Sequence, residues 1–521
     1  MRWCLTPVAS IVAVAMLFSI ACGQETAAAA SPETASQSWR SDCQPIVRPA
    51  PLSMDAARDA LRTAERRQDL KLREAASPGA LMREVHAKIG AKDLAGGQVC
   101  PSELAELGER LFEHEFNFAD GLGSGEASHS STGPFRRVHG GLFGGPETIS
   151  CTSCHWIGGP GGAGAETDDA FLDGDGKTPG AGDARNPQAL AALGVVQALA
   201  REMTRDLQHQ RDALLADAAK AGDSREKHLV TKGIDFGVLR ATKSGAIDAS
   251  GLAGIDGDLV VKPFGWKGTR ADIESFASEA LQFHLGVQSD DLVASDDVAM
   301  KGSGKDPMDP DGDGVRGEFD HAAMAAVTTH LALLEMPVIE PLIQDRMLAP
   351  AATGLLAPTT TSFVDAFARG REEFHALGCA SCHQPMMVLD SPMVEINGLP
   401  PIDLSKQMRQ PGLVYDDSVR GYPVWLFSDL KRHDMGEANR ARHVQRGVAV
   451  EQYLTPRLWG VANSAPYLHD GRAPSLDYAI AGHDGEGAAA RAAFSALSLE
   501  DKGALRVYLM SLRRAPRIIV P

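Results

Sequence analysis

The sequence predicts a mainly α-helical protein with two domains of similar construction, long loops and a small irregular or β insertion. A pentapeptide of the form Cys-x-x-Cys-His occurs twice, at 151–155 and at 379–383. The segments 108–112 and 370–374, which precede the pentapeptides, both begin with glycine and end with phenylalanine, so the chain contains a faint internal repeat. At 521 residues the chain is too long for one core, and its 53 glycines and 30 prolines imply much loop. Apolar residues interrupted by Gly and Asp near 233–261 predict the insertion.

Each pentapeptide predicts the covalent attachment of one c-type haem. Its two thiols can add across the vinyl groups of one haem, and the adjacent imidazole can then bind the iron from one face. A zinc half-site would need another Cys/His pair close by, and a redox dithiol has no use for the trailing histidine. The predicted attachment residues are Cys151, Cys154 and His155 in the first copy and Cys379, Cys382 and His383 in the second.

The second pentapeptide follows a predicted helix that begins after Ser362, a favourable N-cap residue, and carries an apolar stripe. A helix that runs straight into this pentapeptide is how small cytochrome c domains begin, and a predicted helix at 499–512 would close the domain. Four residues lie between 374 and 379, but 38 lie between 112 and 151. This longer Gly-rich insertion could build a substrate pocket or a covering loop beside the first haem.

The N-terminus predicts export from the cytoplasm. Arg2 precedes an apolar run at 8–21 that is too short to span a bilayer. The run ends in a small residue followed by Cys22, which resembles a bacterial lipoprotein box, with ordinary cleavage nearby as the alternative. We therefore expect a periplasmic or cell-envelope protein whose contact with the membrane is a lipid on Cys22.

Two cysteines, Cys43 and Cys100, lie outside the pentapeptides and the signal region. In an oxidising compartment they are expected to form one disulfide, and two free thiols are the alternative. The predicted domain boundaries are a signal peptide at 1–21, an N-terminal extension at 22–100, a first haem domain with insertions at 101–345 and a second haem domain at 346–521.

Several stretches resemble a known family. The segment TPRLWGVANSAPYLHDGRAPSLDYAIAGHDGEG at 455–487 is similar to a segment of di-haem cytochrome c peroxidases. FNFADGLGS, RNPQALAALG, FGWKG, FSDLKRHDMG and YLHDGRAPSL resemble stretches of bacterial di-haem c-type oxidoreductases, which are peroxidase-like or thiol oxidoreductase-like proteins related to MauG. The similarity runs from about 111 to 512. It implies two cytochrome c-like domains, each with one haem, facing each other across an interface.

The two haems are expected to differ in their second axial ligand. A haem that only passes electrons has both axial positions filled, whereas a reactive haem needs one that is open. In the relatives, the ligand opposite the second proximal histidine is a Met or Tyr shortly after the His-Asp-Gly turn. His483 matches that position, so the resemblance implies a His383/His483 pair, with Met435 or His433 as the alternative. For the first haem no residue stands out.

Other residues of the first haem site stay open. His129 and His139 are weak candidates for a second ligand, since each is more often a solvated loop histidine. Glu166, Glu202 and His139 are candidates for an acid–base group, and the sequence does not choose among them, so the catalytic residues are unassigned. Three tryptophans could bridge the haems or simply pack in the core: Trp156, Trp266 and Trp459.

An acidic segment at 309–320 predicts a calcium site near the domain boundary. Carboxylates stand at positions 1, 3, 5 and 12 of an EF-hand-like loop, and glycine stands at position 6. The expected ligands are Asp309, Asp311, Asp313, the carbonyl of Val315, and Asp320. An aspartate replaces the longer glutamate at the last position, which should weaken binding. An Asp/Gly-rich surface turn is the alternative.

Together these features predict an exported di-haem oxidoreductase, peroxidase-like, with a reactive N-terminal haem and an electron-transfer C-terminal haem. A non-enzymatic periplasmic electron-transfer di-haem cytochrome c is the alternative, and the missing second ligand of the first haem is what separates them. The net charge of −17 argues against a nucleic-acid partner. The expected partner is a redox protein or a small electron donor or acceptor.

Overall fold

The structure contains two similar helix pairs, one within residues 101–332 and the other within residues 363–510. The computed structural model describes residues 38–46, 53–89, 94–123, 138–140, 146–295, 306–307, 309, 312–339, 363–396 and 398–514. The signal region with Cys22, together with His129 and Asp311, lies outside these residues, and His139 is described only by its backbone. Within these ranges no helix has both the length and the apolar character that a membrane span requires.

The described chain is mainly helical, as predicted. The α-helices are α1 Met54–Ala76, α2 Ala80–Lys88, α3 Pro101–Phe112, α4 Cys151–Cys154, α5 Leu193–Ala221, α6 Ile273–Ala280, α7 Asp290–Ala294, α8 His321–Ala332, α9 Phe363–Ala376, α10 Leu404–Gln407, α11 Leu476–Ala481, α12 Ala488–Ala496 and α13 Leu499–Met510. A π-helical turn, Leu281–Leu285, directly continues α6. Short 3-10 turns occur at Phe118–Asp120, Glu166–Asp168, Pro179–Ala181, Cys379–Ser381, Glu437–Asn439, Val461–Asn463 and Gly485–Gly487.

The strands are short and form small sheets. They are β1 Val138–Gly140, β2 Ala170–Gly174, β3 Asp183–Arg185, β4 Arg225–Thr231, β5 Ile234–Ala241, β6 Ile247–Leu252, β7 Val338–Ile339, β8 Met387–Leu389, β9 Met393–Val394, β10 Ile402–Asp403, β11 Tyr422–Val424, β12 Arg432–Asp434, β13 Gln452–Leu454 and β14 Leu512–Arg513. The order β4-β5-β6 is an antiparallel meander, which is the β insertion that the sequence predicts. β1-β2-β3 is the other three-stranded sheet, and the remaining strands pair two by two.

The internal repeat corresponds to two similar helix crossings. α3 packs on α8, and α9 packs on α13. A Cβ on Gly108 would lie 2.0 Å from the carbonyl oxygen of Ala326, and one on Gly370 would lie 2.1 Å from that of Ala504. Glycine is needed at both positions because the two backbones approach more closely than a side chain permits. The phenylalanine one turn later contacts a ring of the partner helix at 5.5 Å in both pairs.

The hydrophobic side chains form two main clusters. The larger one joins α2, α3, α5, α8 and the meander, and it also takes in apolar side chains of residues 387–430. The second is built around Phe374, Phe427, Leu505 and Tyr508. The segment 387–430 therefore follows the second pentapeptide in sequence but packs in the larger core, so the two halves of the chain share buried surface.

The N-terminal extension is covalently joined to the first half of the chain. Cys43 and Cys100 form a disulfide, which confirms the predicted pairing. Cys100 is also the N-cap of α3, and its backbone N–H donates to Glu103 Oε2 at 2.8 Å. The extension is thus tied to the start of the helix that leads toward the first pentapeptide.

Candidate functional site

The first pentapeptide lines a cavity of about 570 Å³. Its wall contains Cys151, Cys154 and His155, and apolar side chains from α3, α6 and α8 complete it. Its volume is within the range of cofactor and small-molecule sites. Neither cysteine takes part in a disulfide, and burial raises the pKa of Cys151 to about 12. Two cysteines one helical turn apart, followed by a half-buried imidazole, are the groups that would hold a c-type haem.

The chain after His155 folds back beneath the imidazole. His155 Nδ1 lies 3.1 Å from the carbonyl oxygen of Gly162, an acceptor that assigns the proton to Nδ1 and leaves the lone pair of Nε2 for a metal. A Cβ at Gly162 would lie 1.9 Å from the carbonyl oxygen of Ile157. The glycine run at 158–164 therefore allows a reversal tight enough to place this carbonyl. Burial lowers the pKa of His155 to about 4, so its ring is neutral.

The second pentapeptide lines a smaller cavity of about 260 Å³, to which Cys379, Cys382 and His383 contribute. His383 Nδ1 lies 3.2 Å from the carbonyl oxygen of Phe427. Burial, followed by the nearby charge of His483, lowers the pKa of His383 to about 4. The second proximal histidine is therefore oriented in the same way as the first, with a backbone carbonyl on Nδ1.

His483 faces His383 across this second cavity. The ring centroids are 6.3 Å apart, and the rings are tilted by 64°. His483 Nδ1 lies 2.9 Å from the carbonyl oxygen of Ala479, so Nε2 is again the nitrogen left for a metal. Histidine–metal bonds of about 2.0 Å from each side, plus about 1.2 Å from each nitrogen to its ring centre, require about 6.4 Å. The spacing of the two rings therefore fits one iron between them.

His433, one of the two alternatives, is engaged elsewhere. Its Nε2 lies 2.7 Å from Asp429 Oδ2, and its Nδ1 lies 2.7 Å from Glu486 Oε2. Burial disfavours the charged ring, but hydrogen bonds to Asp429 and Cys382 outweigh it and raise the pKa of His433 to about 11. A protonated imidazole has no lone pair for iron. Met435 also lines the second cavity, so it stays the alternative to His483 as a ligand.

In the wall of the first cavity the structure places a pair that the sequence did not reveal. His284 and Glu147 both line the first cavity, and His284 Nδ1 is hydrogen-bonded to the Glu147 carboxylate. The backbone N–H groups of Glu147 and Thr148 donate to the carbonyl of His284 at 3.0 and 3.3 Å. Burial opposes protonation of His284, but the charge and hydrogen bond of Glu147 raise its pKa. His284 lies in the π-helical turn, and such turns are frequent at functional sites.

The two carboxylates considered from sequence do not reach the cavity. Glu166 is exposed, at the start of a 3-10 turn. Glu202 accepts hydrogen bonds from the backbone N–H groups of Asp390 and Ser391 and pairs with Lys232 at 2.8 Å. Neither side chain is among those that line the two cavities in the described structure. Glu202 thus connects residues 390–391 with Lys232, and Glu166 faces solvent.

Trp266 stands in the wall between the two cavities. It lines both of them, whereas Trp459 lines only the second and Trp156 lines neither. Trp266 Nε1 donates to the carbonyl of Asn186 at 2.8 Å, and the N–H of Asn186 donates to the carbonyl of His469 at 2.8 Å. Trp266 and His469 occupy equivalent places in two tight turns, each closed by a bridge between residues six apart. Their rings meet edge-on at 6.5 Å.

In the acidic segment at 309–320, the described carboxylates accept hydrogen bonds from backbone N–H groups. Asp309 accepts hydrogen bonds from the N–H groups of Gly312, Asp313 and Gly314, at 2.9 to 3.1 Å. Asp320 caps α8 and lies 2.6 Å from His86 Nδ1. Asp313 accepts from the N–H of Val315 at 2.7 Å. None of the converging ligand groups among the described residues includes this loop, so calcium binding here stays a prediction.

Comparison with known proteins finds one family model that matches part of the chain. Residues 351–512 match the model of the family described as "Di-haem oxidoreductase, putative peroxidase". This range includes Cys379, Cys382, His383 and His483. Among curated proteins no match is found.

Two solved structures are also similar. Kuenenia stuttgartiensis hydrazine synthase, pressurised with xenon, has 15% identity and a TM-score of 0.35, over 94% of this chain and 100% of that chain. A MauG-like protein associated with microbial copper homeostasis has 16% identity and a TM-score of 0.23, over 53% of this chain and 76% of that chain. The family match over residues 351–512 agrees with the resemblance seen in the sequence: this part of the chain is similar to the di-haem oxidoreductases.

Proposed function

We propose that the protein is an exported di-haem c-type oxidoreductase with peroxidase-like chemistry at the first cavity and electron transfer through the second. The haems would be held by Cys151, Cys154 and His155 and by Cys379, Cys382, His383 and His483. When bound, the group at each site supplies the redox chemistry. The chain itself supplies ligands, proton-handling groups and a path between the cavities.

The observation that carries this proposal is the difference between the two histidines. His383 faces a second imidazole at 6.3 Å. Among the described ring contacts, His155 pairs with Phe112, at 6.4 Å, and a phenyl ring has no atom that can bind iron. The cavity beside His155 is also more than twice as large, about 570 Å³ against about 260 Å³. A small oxidant therefore has room at the first site, whereas the second site is suited to electron transfer.

Glu147 and His284 are suited to move a proton at the first cavity. Hydrogen-bonded to Glu147 through Nδ1, His284 can present Nε2 to a bound molecule. The neighbouring carboxylate stabilises the imidazolium form, so the pair can take a proton from a peroxide and return it to the leaving oxygen. We assign His284 as this acid–base group and Glu147 as the residue that positions it.

The architecture supports the electron-transfer half of the proposal. The two equivalent helix crossings, α3 on α8 and α9 on α13, support two cytochrome c-like domains. Trp266, which lines both cavities, offers a path through the wall. For the partner we propose a redox protein or a small electron carrier; the net charge of −17 would steer a basic one.

Export and anchoring complete the proposal. The signal-like N-terminus and the lipoprotein-like Cys22 support a periplasmic or envelope location with a lipid anchor. The Cys43–Cys100 disulfide agrees with an oxidising compartment.

Electron paramagnetic resonance of the purified ferric holoprotein tests the function. We expect one high-spin and one low-spin haem, with cyanide and hydrogen peroxide changing only the high-spin signal in the ferric or half-reduced state. His483→Ala should convert the low-spin haem to high spin. His284→Asn should keep both signals but slow the peroxide reaction about 10²-fold, and Glu166→Gln, at an exposed carboxylate outside the cavity, serves as its control. Two low-spin haems inert to peroxide and cyanide in both redox states would instead indicate an electron-transfer cytochrome.

A further inference from the structure

Tyr453, in β13, lies beside His469 in the wall of the second cavity. Its side chain is buried, with 5% of the residue exposed. The two rings stack at 4.5 Å with an angle of 29°, and Tyr453 Oη is 3.3 Å from His469 Nε2. This contact is at the long end for a hydrogen bond, and an approach of a few tenths of an ångström brings it into the normal range.

The protonation states of this pair make the phenol a donor and the imidazole an acceptor. Burial raises the pKa of Tyr453 to about 12 and lowers that of His469 to about 3. At neutral pH an intact phenol therefore stands beside a neutral imidazole. A proton can leave the phenol for His469 only when something lowers the affinity of the oxygen for it, and removal of an electron from the ring does so.

Lys267 connects this pair to the first cavity. Its Nζ lies 3.7 Å from the centroid of the Tyr453 ring, and its side chain lines the first cavity. The neighbouring Trp266 lines both cavities and contacts His469. Lys267 therefore lies between Tyr453 and the first cavity, and Tyr453 itself lines the second cavity.

The position of Lys267 also determines how Tyr453 can be oxidised. Nζ donates hydrogen bonds to three carbonyls, those of Ala449, Val450 and Gln452, at 2.7 to 3.1 Å. These acceptors stabilise the ammonium form, although burial lowers the pKa of the group to about 7. A cation over the ring disfavours a second positive charge on it. This contact therefore favours loss of the Tyr453 proton together with the electron.

We propose that Tyr453 is a redox-active relay between the two cavities and that His469 is its proton acceptor. This rests on the proposed function, which supplies the oxidant, a haem at the first cavity oxidised by peroxide. One electron passes from the Tyr453 ring to that haem; the O–H bond breaks, the proton forms an N–H bond on His469 Nε2, and a neutral tyrosyl radical remains. An electron from the reduced haem of the second cavity then refills the ring, and the proton returns to oxygen.

Tyr467 provides a matched comparison. It lines the same cavity, and burial raises its pKa to about 12 as well. Its hydroxyl donates to the carbonyl of Val461 at 3.2 Å. An amide carbonyl is too weak a base to accept the proton, so Tyr467 cannot lose a proton together with its electron. The base beside the phenol, and not burial or cavity position, distinguishes Tyr453.

Freeze-quench electron paramagnetic resonance after peroxide addition tests the relay, with ring-deuterated tyrosine to identify the radical by its narrowed spectrum. In the ferric holoprotein, where the second haem has no electron to refill the ring, we expect a tyrosyl radical in the wild type and in Tyr467→Phe, and none in Tyr453→Phe. In the half-reduced holoprotein, Tyr453→Phe should retain the wild-type peroxide reaction at the first haem, and oxidation of the second haem should slow about ten-fold or more. His469→Asn should slow formation of the radical about 10²-fold.

A radical that persists in Tyr453→Phe, or that is a tryptophan radical in the wild type, would overturn the relay. Failure of the proposed function is distinguishable, because the first haem would then not respond to peroxide in any variant. In that event a photogenerated ruthenium(III) complex supplies the oxidant. A tyrosyl radical in the wild type and in Tyr467→Phe that is absent from Tyr453→Phe would still support the assignment, and its presence in Tyr453→Phe would refute it.

Discussion

Replacing Gly370 by alanine should destabilise the protein, although alanine is the better helix former. Gly370 lies in the interior of α9, where the intrinsic helix preference for alanine over glycine is up to about 1 kcal/mol. The added Cβ would lie 2.1 Å from the carbonyl oxygen and 2.6 Å from the carbonyl carbon of Ala504, and 2.8 Å from the Cβ of Tyr508. Two of these contacts are backbone atoms, so no side chain can rotate away. The helices must separate by about 1 Å to restore ordinary contact distances.

Overpacking of this kind costs about 3 kcal/mol at the upper end of the usual range. Subtracting the gain of about 1 kcal/mol in helix preference leaves a net loss of about 2 kcal/mol. For urea unfolding with a slope of about 3 kcal/mol per molar, the midpoint should fall by about 0.7 M. The same loss is expected for Gly108→Ala, whose Cβ would meet Ala326 at 2.0 Å.

Urea unfolding of the holoprotein, followed by far-ultraviolet circular dichroism, measures the shift. Gly180→Ala is the control, because Gly180 is exposed and a Cβ there would have no heavy atom within 4 Å. This variant should stay within about 0.5 kcal/mol of wild type. If Gly370→Ala raised the midpoint instead, helix preference would dominate and the close approach of α9 and α13 would be refuted.

Three further predictions concern the disulfide, a buried acid and the second haem. Replacing Cys43 and Cys100 by serine should lower the free energy of unfolding by about 4 kcal/mol, because the disulfide closes a loop of 57 residues; the reduced wild type should match the variant in urea unfolding. Burial, and then the charge of Glu109, raise the pKa of Glu113 from 4.5 to about 7, so its charge destabilises the fold as pH rises through this range. Glu113→Gln should therefore leave the free energy of unfolding unchanged below about pH 4.5. Above pH 7 it should raise that free energy by up to about 3 kcal/mol, reduced by the loss of the Arg67 contact. Equal effects at both pH values would contradict this reasoning. Replacing Cys379 and Cys382 by alanine should halve the haem content measured by pyridine haemochrome, and an unchanged content would refute attachment there.

The sequence by itself determined the features that depend on neighbouring residues. The two pentapeptides could be recognised directly as predicted attachment sites, since two thiols and an imidazole within one helical turn act as a unit wherever the chain places them. The repeat pointed to two equivalent segments, and the helix predicted at 499–512 corresponds to α13, Leu499–Met510. The pairing of Cys43 with Cys100 followed from elimination, because no other cysteines remained. His483 came from family resemblance, and the structure places its ring opposite His383.

Only the tertiary structure brought together side chains that are distant in sequence. Glu147 and His284 are 137 residues apart, and no local pattern marks either as a partner of the other. Glu166 and Glu202 were plausible acid–base groups by residue type. A carboxylate can act in catalysis only if the fold places it at the site, and here Glu166 faces solvent and Glu202 contacts residues 390–391 and Lys232. Lys267 reaches Tyr453 through a contact between the two halves of the chain. Hydrophobic periodicity predicts which face of a helix or strand is buried. Which side chains that face contacts depends on how the two halves of the chain pack against each other.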